Sequence, residues 1–502
     1  MALVDELDIV LSVPSTALHS LVSHSLLRFD SQQARYAMHD LVRQFARERL
    51  EADPQRQRQA QESHSLYFAQ FLHSRDEMIQ QGHPPTMAAV NGEMGNIQAM
   101  WRRVCDNRQV LLVAQALQPL AFFCDGVARY VEGKGLYAYA LDRLDTGVEG
   151  GPLPLQKTVC SLLGAYANML DRLGEYNEAL TVCGRGMEIA RRIGYAEAVG
   201  LGLLFFGRIE LDRGAFAQSE AYLRQAVDFC VENGLSDTQA RASFRLGEAL
   251  FHQGHLDEAW ACYEVAQRLF QPEQDRRGLL FVALAMAEWK LVQGEVAAAQ
   301  DAYTRGLTIA RGTGQAHLQA AVHRGLALCL ARSGRPAEAE SLLLAGLALL
   351  ADMPPGLPFF GLVLPLAVLY SRAGQAEKAE SLLHWVGAKA SATDTPRHQI
   401  PVLLAFAQFF GQTQLEKAAA LVRLIVNEPA STWAQRRQAR AGLTGETGMG
   451  PGLWASPSQA LADLIDENIA RRGESLVQAL CSREDYSCPT RITDLYQSLG
   501  LL

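Results

Sequence analysis

The sequence predicts an all-α protein built as a long array of helix hairpins, and three observations predict it. Glycines stand at 174, 214, 254, 294, 334 and 374, so six anchors follow one another at intervals of 40 residues. Each is preceded, eight and seven positions earlier, by a large apolar and then a small residue: Tyr166-Ala167, Phe206-Gly207, Leu246-Gly247, Met286-Ala287, Leu326-Ala327 and Leu366-Ala367. The chain of 502 residues, 49% hydrophobic and only 8% aromatic, is too long for a single core and poor in the residues that strands favour.

The pattern continues past each anchor. Five positions on stand Ala179, Ser219, Ala259, Ala299, Ala339 and Ala379, and four later Cys183, Leu223, Tyr263, Tyr303, Leu343 and Leu383. Apolar residues at i, i+3, i+4 and i+7 on both sides of a glycine describe two amphipathic helices joined at a left-handed turn. One such hairpin cannot bury both apolar faces, whereas a stack of them shares a continuous core. This arrangement resembles the tetratricopeptide repeat over about residues 155–390. The resemblance implies a superhelix with the first helix of each hairpin lining its inside. A 40-residue period against the family's usual 34 implies longer helices or turns. Gln118 to Leu144 reads as an atypical first repeat, which places the superhelix at 116–410.

At the N-terminal end, Ser15 can cap a helix carrying Leu18, Leu21, Val22 and Leu26. Two alternating runs, Leu26-Leu27-Arg28-Phe29 and Arg35-Tyr36-Ala37-Met38, flank the turn Asp30-Ser-Gln-Gln, and a further helix starts near Asp40. Helix, short β-wing, helix is a winged-helix pattern. The strings Leu21-Val-Ser-His-Ser-Leu-Leu-Arg and Tyr36-Ala-Met-His-Asp-Leu-Val-Arg resemble the winged-helix module of the STAND signalling ATPases, the NB-ARC and apoptotic-ATPase-like proteins. Met38-His39-Asp40 coincides with that family's MHD motif. The resemblance implies that His39 donates to an ADP phosphate held by a nucleotide-binding domain of the same or a partner chain. No GxxxxGK[ST] loop occurs in this sequence, and Glu132-Gly-Lys-Gly135 reads as a turn. The expectation is an incomplete winged helix at 1–55, no cofactor in this chain and ADP or ATP in a longer protein. A helical connector at 56–115 and a monomeric fragment complete it.

Chemistry is expected elsewhere than in this chain. His19 and His24 stand five apart and His252 and His255 three apart across a glycine turn, with no cysteine or carboxylate placed to complete a tetrahedral set, so the twelve histidines read as surface or turn residues. No catalytic residue and no metal site are expected. Nine cysteines without a CxxC pair fit buried thiols in a reducing, cytoplasmic setting. Lysine and arginine number 46 against 54 acids, a net charge of −8. Over residues 1–50, five arginines face six acids, a net of −1, and Ser15–Leu27 as a recognition helix carries no basic reader. Nucleic acid is therefore disfavoured as a partner. The uncharged stretch Met353–Ser371 contains four prolines and falls in register with the repeats, so it is read as soluble rather than as a membrane span.

The binding surface is expected on the inward wall, at positions ten, six and two before each anchor. Six before stand Asn168, Arg208, Glu248, Glu288, Leu328 and Val368; two before, Arg172, Asp212, His252, Val292, Arg332 and Arg372; ten before, Gly164, Leu204, Phe244, Leu284, Arg324 and Leu364. Arg208, Glu248, Arg324, Phe244, Asn168, Arg172, Glu288 and Arg332 are the candidate ligand-binding residues, a charged and partly aromatic set suited to an extended segment. Residues 411–502 read as a C-terminal helical extension: one or two helices in Gln412–Ala441, a loop at 442–455 and an amphipathic helix over Ser456–Arg472. The functional expectation is the sensing arm of a STAND-type ATPase, taking a protein, peptide or small-molecule inducer. A winged-helix transcriptional regulator and a stand-alone repeat scaffold are the alternatives.

Overall fold

The computed structural model describes residues 15–30, 35–271, 275–313, 315–351, 353, 357–392, 396–411, 414–441 and 457–481. The chain divides into two compact units, one of residues 1–80 and 85–165, the other of 81–84 and 166–502.

The first unit opens with α1 (Ser15–Ser23), a hairpin of β1 (Leu27–Asp30) and β2 (Arg35–Met38), and α2 (Asp40–Glu51). The strands run antiparallel, with Leu27 opposite Met38 and Phe29 opposite Tyr36. The candidate recognition helix is shorter than expected: Ser25 takes a left-handed φ of 61°, which ends it and releases Leu27 into β1. The wing turn, residues 31–34, lies outside the described residues. A helical bundle follows, comprising α3 (Pro54–His73), α4 (Asp76–Gln80), α5 (Pro84–Gly92), α6 (Met94–Asp106), α7 (Val110–Gly126) and α8 (Tyr130–Leu144). Its centre is Trp101, which is fully buried, meets Tyr137 edge-on and donates from Nε1 to the Leu136 carbonyl at 2.8 Å. Two readings are corrected here. Glu132–Gly135 is not a turn but lies inside α8, and the α7–α8 hairpin begins at Val110, so a boundary at 115/116 cuts a helix.

The repeat array fills the second unit, except that residues 153–165, the start of its first helix, fall in the first. Its hairpins pair α9 (Leu153–Arg172) with α10 (Tyr176–Arg192), α11 (Ala196–Arg213) with α12 (Phe216–Asn233), and α13 (Ser236–Gln253) with α14 (Leu256–Leu269). They continue as α15 (Arg276–Gln293) with α16 (Val296–Thr313), α17 (Ala316–Arg332) with α18 (Pro336–Leu349), and α19 (Leu357–Arg372) with α20 (Ala376–Ser391). The six anchor glycines have φ between 73° and 91°. In every turn the residue after the glycine donates its N–H to the carbonyl five positions back, as His255 does to Leu250 at 2.9 Å, the Schellman closure that only a left-handed residue permits. First helices such as α11 and α13 are 18 residues long, which accounts for part of the extended period.

The small residue before each turn is a packing device. A Cβ on Gly207 would lie 2.4 Å from Leu223, and one on Gly247 would lie 2.5 Å from the Tyr263 ring. Position −7 of one helix thus receives the large side chain at +9 of its partner, and the alanines at +5 are fully buried beside them. First helices pack on successive first helices from α11 through α19, which puts them on the inner side of the stack.

The periodicity runs further than the glycines do. A seventh hairpin, α21 (Pro396–Phe410) with α22 (Leu415–Asn427), keeps the register with Phe406-Ala407 before the turn and Ala419 after it, while Gln414 occupies the anchor position. A boundary at 410/411 therefore falls inside a hairpin. Beyond it come α23 (Trp433–Ala441), α24 (Pro457–Leu464) and α25 (Glu467–Cys481). The helix expected over Ser456–Arg472 is two helices. They separate because Asp466 caps the second, accepting from the Ile469 N–H at 3.1 Å, while its own N–H is donated to Nδ1 of His384 at 2.8 Å. Helix α25 lies along α20, where Gly473 sits against the Ser381 carbonyl with no room for a Cβ. The loop at 442–455 lies outside the described residues.

Among the described residues no helix is long and apolar enough to cross a membrane, and no three His, Cys, Asp or Glu side chains gather where they could hold one ion. Eight described cysteines are free thiols, six of them buried. Two histidines are core rather than surface residues: His323 is 1% exposed and His384 6% exposed.

Candidate functional site

The inward wall is built from the first helices of the second unit. At one end, Arg208 on α11 reaches back along the wall to α9. Its Nη2 donates to Asn168 Oδ1 at 2.7 Å and pairs with Asp171 Oδ2 at 2.9 Å, and its guanidinium lies 4.9 Å from the Phe205 ring centre. The side chains of Asp171 and Arg208 are 1% and 10% exposed. Burial pushes the Asp171 carboxyl up from the usual carboxylate range and pulls the Arg208 guanidinium down, each opposed by the attraction of the other. Oδ1 of Asp171 and Nε of Arg208 are buried without a hydrogen-bond partner.

The other candidates separate by environment. Phe244 belongs to the core rather than to the groove: its ring stacks on Phe281 and tilts against Tyr263, with centroids 6.2 Å away in both cases. Its position ten before the anchor points between hairpins, because a phenylalanine there fills the space between α13 and α15. Glu248 is half-buried and engaged by Arg245 of its own helix at 2.6 Å. Arg332 is exposed and donates to the Leu291 carbonyl, capping the end of α15. Arg324 is half-buried, its stem over Gly361 of α19. Arg172 and Glu288 are exposed. The eight residues are thus not one constellation; Asn168 and Arg208 are brought together, and the rest are distributed along the wall.

A cleft of about 410 Å³ opens further along the same rows. Val368 and Arg372, six and two before the last glycine anchor, line it with Gln408, which is six before Gln414. Ser371 and Phe409 add a hydroxyl and a ring, and Gln438 of α23 supplies the facing wall. Arg372 is exposed and has no ion-pair partner among the described residues. The signal for Arg372 was in the −2 row. Gln408 was hidden by the missing seventh glycine, and Asp171 by standing at −3, outside the inward rows. A second cleft, of about 550 Å³, lies between α10, α11 and α12 and includes Arg191, Asp228 and Glu232.

No family model and no curated protein matches the chain. Among solved structures it is similar to a Rap protein complexed with competence and sporulation factor, at 13% identity and a TM-score of 0.48, covering 78% of this chain and 99% of that one. It is also similar to the apo form of the quorum sensor NprR from B. thuringiensis, at 14% identity and 0.47, covering 72% and 97%. NprR in complex with its cognate peptide NprX gives 14% and 0.44, over 71% and 98%.

The wing hairpin places His39 at the start of α2. Its ring is exposed, and Nδ1 accepts the Leu41 N–H at 3.3 Å. Helix α2 has no buried residue, and Leu41, Phe45 and Leu50 are 71%, 57% and 36% exposed.

Proposed function

We propose that the chain is a ligand-sensing regulatory arm in which the inward wall of the repeat array takes an inducer, with the cleft at Val368, Arg372, Gln408 and Gln438 as its anchoring point. The observation that carries the reading is that cleft: the inward rows of two hairpins converge on an unpaired guanidinium, two carboxamides and an aromatic ring. Such a set suits a polar backbone or head group carried beside an apolar one, whether on a protein, a peptide or a small molecule. In the same reading the arm belongs to a STAND-type ATPase. His39 then meets the ADP phosphate of a nucleotide-binding domain, in the same or a partner chain, through its exposed Nε2 while Nδ1 stays on the Leu41 N–H. Leu41 and Phe45, exposed one turn apart on the same side of α2, are what such a domain would cover.

Capture of a partner on the immobilised chain tests the sensing half. Arg372→Glu and Arg324→Glu are expected to abolish capture while leaving the melting temperature within about 2 °C, since neither side chain is in a buried ion pair. Capture that survives both reversals defeats the inward-wall reading. For the switching half, calorimetry of ADP with a nucleotide domain and this chain should lose affinity on His39→Ala; unchanged affinity removes His39 from the switch.

A further inference from the structure

Six turns of the array are equivalent by sequence, yet two of them are covered. A Cβ on Gly174, Gly294, Gly334 or Gly374 would meet nothing within 4 Å. One on Gly214 would lie 2.6 Å from Cβ of Ala430, and one on Gly254 would lie 2.7 Å from the Trp433 indole. Both contacts come from the short segment that follows the seventh hairpin. The array therefore returns on itself: α23 touches α13, and α21 touches α11.

That segment is pre-shaped. Thr432 and Gln435 form a reciprocal capping box, with the Thr432 N–H donating to Oε1 at 2.8 Å and the Gln435 N–H to Oγ1 at 3.2 Å. Arg436 Nη2 braces the approach by donating to the carbonyls of Glu428 and Pro429 at 3.0 and 3.2 Å. Arg437 lies 5.2 Å from the Trp433 ring centre. At its root the segment packs most extensively along α22, whereas on the far side Ala430 and Trp433 lie against two bare turns. A body rigid in itself and broadly seated at one side yields first at the narrow side.

We propose that residues 428–441 are a latch, which closes the array by seating Ala430 and Trp433 on the Gly214 and Gly254 turns and which opens there as a unit. The latch regulates the cleft, because Gln438 on the same helix is one of its walls; this rests on the inward-wall reading given above. Ligand in the complete cleft favours the closed form, and closure favours ligand by the same factor.

Amide hydrogen exchange on the full chain tests the latch without any ligand. The His255 and Ala215 amides, beneath the latch, are expected to exchange more slowly than their equivalents Glu295 and Arg335 in open turns. In Trp433→Ala the His255 amide should converge on Glu295, a change on the order of 10-fold or more, with α17 unchanged. Equal rates at 255 and 295 in the parent chain would show that the turns are not covered in solution. A Trp433→Ala variant losing protection throughout α11–α19 would show that the segment is part of the cooperative fold and not a latch. Should that variant fail to fold, Ala430→Arg, which sets a long cation against the Gly214 turn, gives the same reading through Ala215. The coupling is tested by capture: Trp433→Ala should weaken it about 10-fold with Arg372 and Gln408 intact, and unchanged capture overturns the coupling alone. Failure of the inward-wall reading, by contrast, is capture that survives Arg372→Glu while the exchange pattern at 255 stays that of the closed form.

Discussion

Replacing Asp171 by Val leaves the Arg208 guanidinium in the inner wall with only Asn168 as a side-chain hydrogen-bond partner. The magnitude follows from the geometry: a 2.9 Å pair whose side chains are 1% and 10% exposed is a buried pair, and removing one partner of such a pair costs about 3–5 kcal/mol. The pair itself contributes far less. Burial moves both groups against ionisation, the carboxyl upward and the guanidinium downward, so desolvation offsets the Coulomb attraction. The double variant Asp171→Val with Arg208→Met is therefore expected within about 1 kcal/mol of the parent, although Asp171→Val alone is several kcal/mol worse. Urea denaturation followed by circular dichroism measures this, with attention to the first transition, since repeat arrays need not unfold in one step. If Asp171→Val alone falls within 1 kcal/mol of the parent, or if the double variant is no better than the worse single one, the desolvation reasoning fails.

Two further outcomes are expected. Gly294→Ala should cost about 1–2 kcal/mol for a side chain held at φ 86°, whereas Gly254→Ala adds a collision with Trp433 of about 1–3 kcal/mol; the excess should vanish in a Trp433→Ala background, and a double-mutant cycle with no coupling would contradict the contact. Burial pulls the His323 imidazole from 6.5 down to about 3, so its contribution is fully present above pH 6.5 and is lost as pH falls towards 3. Within that window stability should drop by about 1.4 kcal/mol per pH unit from this group, and His323→Leu should show a shallower acid limb in melts between pH 4 and 7.

The fold was legible because its information is local and repeated. Glycine is demanded by a left-handed turn in all six hairpins, and the small residue at −7 by the side chain at +9 where Gly207 meets Leu223 and Gly247 meets Tyr263, so the repeated spacing specified six hairpins. The seventh was missed where Gln414 replaced the glycine, although Phe406, Ala407 and Ala419 kept the spacing. The site was less legible. Helical spacing says which side of a helix a residue occupies, but Phe244 and Arg208 share that side with exposed residues and are withdrawn from it by partners in neighbouring helices, Phe281 and Asn168. Asp171 and Gln438 could not be found from register, since one stands between the inward rows and the other on a helix outside the repeats.

The buried thiols have a practical consequence. Exclusion from water pushes Cys105 and Cys124 up to about 12, and Cys230 and Cys329 up to about 11. At pH 7 a thiol of the latter kind is a thiolate about once in 10,000, so alkylating reagents reach it only when its hairpin opens. Cys183, Cys230 and Cys329 fall in different hairpins, and their labelling rates in dilute denaturant would time the opening of each stretch of the array separately. The molecule carries its own set of clocks, one to a neighbourhood, with no residue added.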